Sequence, residues 1–194
     1  YESEFDQMLF YLPLSGSAFK KIYYDDIMQR AVSKFVPADD LVVPYTATSL
    51  EDCESVIHII RMSENELRKK QVGGFYRDME LTPTHLLESE LQEKERKLEG
   101  TTRGRDDRVF TILECHVNVD LGGFEDIDPT SGEPTGIKLP YVVTLEEGTR
   151  KVLSVRRNYD VKDFLKKRID YFVHFKFLPG LGFYGFGLIH MLSL

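Results

Sequence analysis

The chain has 194 residues, 42% of them hydrophobic and 29% charged, with 25 Lys and Arg against 32 Asp and Glu for a net charge of −7. Such a length carries one domain or two small ones and buries about 70% of its unfolded surface, so no disulfide or metal is needed to hold it together. The acidic balance excludes a protein that coats nucleic acid by general phosphate neutralisation, and the ordinary apolar content excludes intrinsic disorder.

The charge is unevenly spread. Residues 1–60 hold four basic and ten acidic side chains, a balance of −6. Residues 150–168 hold Arg150, Lys151, Arg156, Arg157, Lys162, Lys166, Lys167 and Arg168 against Asp160 and Asp163, a balance of +6. No apolar run reaches the roughly 18 residues that span a bilayer, so no membrane partner is expected. Cys53 and Cys115 stand far apart without a C-x-x-C pattern and read as two free thiols in a reducing compartment. A start at Tyr1-Glu2 and an end at Leu192-Ser193-Leu194 lead us to expect a fragment of a longer protein.

In chain order, Phe5, Met8, Leu9 and Leu12 have helical spacing, and Pro13 is expected to end that helix. Ala18 to Asp25 and Arg30 to Val36 are β-prone and should pair across an Asp25-Asp26 turn. Short strands are expected over Leu41 to Tyr45 and Val56 to Met62. Ser63 and Glu66 form the S-x-x-E capping box of a helix that stops at Gly73-Gly74. A second helix is expected from Thr82-Pro83 to Leu98-Glu99, followed by a polar linker. Arg108 to Leu121 reads as a long strand, 122–136 as an extended loop, and Tyr141 to Leu145 with Lys151 to Arg157 as a hairpin about Glu147-Gly148.

A brief basic helix is expected over Val161 to Arg168. Ile169 to Phe177 alternates, with Tyr171, Val173, Phe175 and Phe177 on one face and His174 and Lys176 on the other. The expected fold class is α+β, mostly antiparallel β-hairpins with two or three surface helices. It forms one α+β region over 1–194, with a sub-division into 1–99 and 108–194 around the linker 100–107.

Gly180-Leu181-Gly182-Phe183-Tyr184-Gly185 matches G-x-G-x-x-G. A dinucleotide site needs those glycines inside a βαβ unit so that backbone amides reach a pyrophosphate. Here Pro179 separates strand from loop and the preceding strand alternates, so the segment reads as a turn with aromatic packing residues. Asp126-x-Asp128-x-Thr130 opens like a calcium loop, but Ser131 and Ile137 stand where that loop needs Gly and Glu. An acidic solvated loop is the better reading.

His58, His116, His174 and His190 lie in or beside strands or apolar segments, His85 opens a helix, and Cys115 and His116 point to opposite strand faces. These residues assemble no catalytic, cofactor or metal constellation. The basic stretch 150–168 is the candidate contact region, for phosphate or for an acidic surface on a neighbouring copy.

Several segments together resemble portal proteins of tailed bacteriophages, especially of short-tailed phages. They are Ala18-Phe19-Lys20-Lys21-Ile22-Tyr23-Tyr24-Asp25, Phe35-Val36-Pro37-Ala38-Asp39-Asp40-Leu41-Val42-Val43, His58 to Met62 before the capped helix, Arg156-Arg157-Asn158-Tyr159, and Val173 to Gly180 with Gly185 to His190. The resemblance implies a wing-like portion of a dodecameric head-tail connector at the portal vertex of the virion, assembled in the host cytoplasm. Such a ring is the channel for DNA packaging and genome ejection. Its implied partners are copies of itself, the terminase large subunit, tail or head-completion proteins and the double-stranded DNA in transit. It is not an enzyme, needs no cofactor, and has a bend leading into a helix at Gly180–Gly187. The alternative is a nucleic-acid-binding module that uses the basic hairpin-helix 150–168.

Overall fold

Ser17–Asp25 (β1) and Arg30–Pro37 (β2) pair antiparallel, from Ala18 opposite Pro37 to Asp25 opposite Arg30, as their β-prone sequences predict. They belong to a computed structural model that describes residues 2–25, 29–81, 109–128 and 130–193. Of the turn expected at Asp25-Asp26, Asp25 belongs to β1 and Asp26 lies outside the described residues, as do the helix over 82–99, His85 and the linker 100–107.

The described chain divides into two compact units. The first comprises Tyr1–His58, Cys115–Val142 and Arg156–Leu194, and the second Ile59–Glu114 and Val143–Val155. Two sheets run through the fold. One has the order β2-β1-β8, where β8 is Phe172–Lys176 and pairs antiparallel with β1. The other has the order β3-β4-β5-β6-β7, from Leu41–Val42 (β3), Ser55–Ser63 (β4), Val109–Val119 (β5), Leu139–Glu146 (β6) and Val152–Arg157 (β7). With the helices this is an α+β fold built on antiparallel sheets.

In the first unit, Glu2–Ser15 forms helix α1, which continues through Pro13 instead of stopping there. Pro13 forfeits its own amide bond, yet the last turn is closed by Gly16 N donating to the Leu12 carbonyl at 2.9 Å and Ser15 Oγ donating to the Tyr11 carbonyl at 2.9 Å. The core gathers Phe19, Val36, Leu41, Val56, Phe172 and Phe183. Phe19 is fully buried, a contribution of about 2–3 kcal/mol from water exclusion. Leu188–Leu192 forms a short helix, α3.

In the second unit, Glu64–Val72 forms α2 with the expected capping box: Glu66 N donates to Ser63 Oγ and Ser63 N to the Glu66 carboxylate, both at 3.3 Å. It ends as predicted at Gly73-Gly74, where Gly74 takes φ +71. Met62, Leu67, Tyr76, Phe110, Ile112 and Leu153 form a separate apolar core. At the β6–β7 hairpin the fully buried Glu146 carboxylate accepts from Gly148 N at 2.9 Å, Thr149 N at 2.6 Å and Thr149 Oγ1 at 2.6 Å.

The basic helix expected over Val161 to Arg168 is not formed; the segment folds as two successive turns. Two aspartates explain the difference, because each satisfies nearby amides that a helix would have used. Asp160 Oδ1 accepts from Lys162 N at 2.9 Å and its carbonyl from Asp163 N at 3.0 Å. Asp163 then accepts from Leu165 N at 3.0 Å through Oδ1 and from Lys167 N at 3.1 Å through Oδ2.

Candidate functional site

The candidate cations divide between the units. Arg150 and Lys151 belong to the second, in the β6–β7 turn, where Arg150 takes φ +55 and Lys151 Nζ donates to the Glu80 carbonyl at 2.9 Å. Arg156 and Arg157 end β7 in the first unit and are exposed, as are Lys162 and Lys167 on the two-turn segment.

Lys166 and Arg168 hold that segment in place. Lys166 is in the left-handed region at φ +46, and its ammonium pairs with the Asp126 carboxylate. That ion pair, with the Thr135 hydroxyl at 2.8 Å, keeps the Asp126 carboxyl below the usual carboxylate range. Arg168 donates to the carbonyls of Cys53 and of Leu50, the latter at 2.7 Å, and its Nε reaches Asp170 at 2.9 Å. These two cations therefore brace the loop, and Arg156, Arg157, Lys162 and Lys167 are the exposed ones on this unit.

Just ahead of the braces stand Phe164, 94% exposed, and Leu165, 66% exposed. Sequence reasoning missed this pair. Their spacing suits the buried face of a helix, and only the spacing of Asp160 and Asp163 signals turns.

A second apolar surface lies on α1 and α3. Leu9, Phe10 and Tyr11 are exposed on α1, as are Ile189 and Leu192 on α3, and the two helices touch. Helix α1 holds no Lys or Arg, and its Asp6 is exposed. The periodicity over residues 5–12 predicted the helix but not which side of it stays uncovered.

The G-x-G-x-x-G segment closes on itself through a bridge between Leu178 and Phe186 and sends Phe183 into the core. Gly185 N donates to Ser17 Oγ at 2.8 Å, and a Cβ on Gly185 would lie 2.5 Å from the Gly16 carbonyl oxygen. Gly180 and Gly185 thus permit close backbone approach within the protein. In the 122–136 loop, Asp128 accepts from Thr130 N at 2.8 Å and from the Ser131 hydroxyl at 3.1 Å, an Asx turn.

The described histidines pack as aromatic side chains. His58 meets Phe172 edge-on at 5.6 Å, and His116 meets Tyr171 at 5.4 Å and Phe172 at 5.1 Å. His174 stacks on Phe19 at 4.4 Å and Phe183 at 4.8 Å, with Nε2 3.1 Å from Ser17 Oγ. Burial, aided by Lys176, pushes its pKa down to about 4, so the ring is neutral at pH 7. His190 Nδ1 accepts from Gly187 N at 3.2 Å at the start of α3.

Among the described residues, no group of three or more His, Cys, Asp or Glu is placed to hold a metal ion, and no helix is long and apolar enough to cross a membrane. No protein-family model and no curated protein matches the chain.

Proposed function

We propose that this chain is a wing-like region of a phage portal subunit, a structural part of the ring through which DNA is packaged into and ejected from the capsid. Its place is the portal vertex of the virion, with assembly in the host cytoplasm. Its partners are neighbouring copies, the terminase large subunit, tail or head-completion proteins and the DNA in transit. The order of the portal-like segments along the chain supports this reading, and so does the α+β fold with antiparallel hairpins.

The observation that carries it is the exposure of large apolar side chains on a braced frame. Phe164 and Leu165 are exposed immediately ahead of the anchors Lys166 and Arg168, and large apolar side chains held out on a braced segment suit an association surface. A channel that lets DNA slide is better served by an acidic subunit than by one that grips phosphate. The nucleic-acid-binding alternative loses support because Lys151, Lys166 and Arg168 are already engaged by protein acceptors.

Electron microscopy of the full-length protein tests the reading. Rings with an axial channel wide enough for duplex DNA support it. Monomers that bind duplex DNA with a steep salt dependence favour the alternative instead.

A further inference from the structure

The two apolar surfaces of the first unit are complementary. The loop 160–168 presents Phe164 and Leu165 between the exposed ammonium groups of Lys162 and Lys167. Its backbone is fixed by Asp160 and Asp163 and anchored through Lys166 and Arg168, so little conformational entropy remains to be lost on docking. A solvent-exposed aromatic on a fixed backbone with a cationic rim has the make-up of an interface anchor. The α1–α3 surface offers Leu9, Phe10 and Ile189 with the carboxylate of Asp6, on a helix without Lys or Arg.

We propose that the Phe164–Leu165 knob of one copy docks on the α1–α3 face of a second copy, with Lys162 and Lys167 directed to the Asp6 end of its acidic helix α1. Both surfaces belong to one chain and have opposite charge, which selects a second copy as the occupant. Because different surfaces meet, the contact is head-to-tail. Each copy keeps a free knob and a free face, and the series closes only as a ring. This inference rests on the assembly reading above and names the surfaces that would carry it.

Sedimentation of this chain with two single-surface variants tests the pairing. Phe164→Glu breaks the knob, and Phe10→Glu breaks the face; both sites are exposed, and circular dichroism checks that each variant is folded. The wild-type chain is expected to associate with concentration, and each variant alone to associate at least about 30-fold more weakly, the loss of a hot-spot residue. Mixed together, the two variants should form a one-to-one complex through the one intact knob and the one intact face, and nothing larger.

The proposal is overturned if the mixture contains no complex, if Phe164→Glu associates like the wild type, or if the wild type stays monomeric up to about 1 mM. Rings of the full-length protein that are indifferent to Phe164→Glu overturn the pairing and leave the portal reading standing. Complementing variants from a full-length protein that forms no ring do the reverse.

Discussion

Gly187 lies so close to Leu14 that a Cβ on the glycine would sit 2.3 Å from the Leu14 carbonyl oxygen. That approach seats the start of α3 against the end of α1, and only a residue without a side chain permits it. Gly187→Ala should therefore destabilise the first unit by about 3 kcal/mol, since backbone on both sides has to move. Gly182, with nothing within 4 Å of a Cβ, is the internal control. Gly182→Ala should change stability by no more than about 0.5 kcal/mol. Denaturant unfolding of both variants checks the contrast; equal effects would refute the packing role given to Gly187.

Glu146 is a fully buried carboxylate that satisfies two amides and a hydroxyl of its own hairpin turn. Glu146→Ala strands those donors and should cost about 2–3 kcal/mol. Glu146→Gln keeps an acceptor oxygen in place and should cost less. Urea midpoints of the two variants are the measurement, and an alanine variant as stable as wild type would show that water replaces the carboxylate freely.

The hairpins, the capped helix and its glycine stop were legible because each depends on residues close in sequence. Ser63 and Glu66 are three apart, and β1 and β2 are set by alternation about a short turn. The basic helix over Val161 to Arg168 failed for an equally local reason: Asp160 and Asp163 capture the amides of Lys162, Leu165 and Lys167. What could not be read was set by distant partners. Arg168 meets the carbonyls of Leu50 and Cys53, more than 100 residues earlier, so a side chain expected at a contact surface turns inward. In β8 the alternation is visible in the sequence, but Phe172 is buried and Val173 exposed because the rings of Phe19 and Phe183 stack on His174 while His58 and His116 pack on Phe172.

His174 makes stability depend on pH with a defined sign. Its folded pKa of about 4 lies below the ordinary 6.5, first because it is buried and then because of Lys176. The unfolded chain therefore takes up a proton before the folded one does. The stabilisation is complete above pH 6.5 and is lost as the pH falls toward 4. His174→Phe keeps a ring between Phe19 and Phe183 and removes the titration, so its unfolding midpoint should change less over that window. A wild type and variant with parallel pH profiles would contradict the assignment.

The central claim is that this chain builds a ring through contacts between unlike surfaces, one of them basic. Native mass spectrometry of the full-length protein, wild type and with Lys162→Glu and Lys167→Glu together, puts it to the test. A single closed, dodecameric ring is expected for the wild type and smaller species after charge reversal. A wild type without a closed ring, or identical mass distributions for the two proteins, would contradict it.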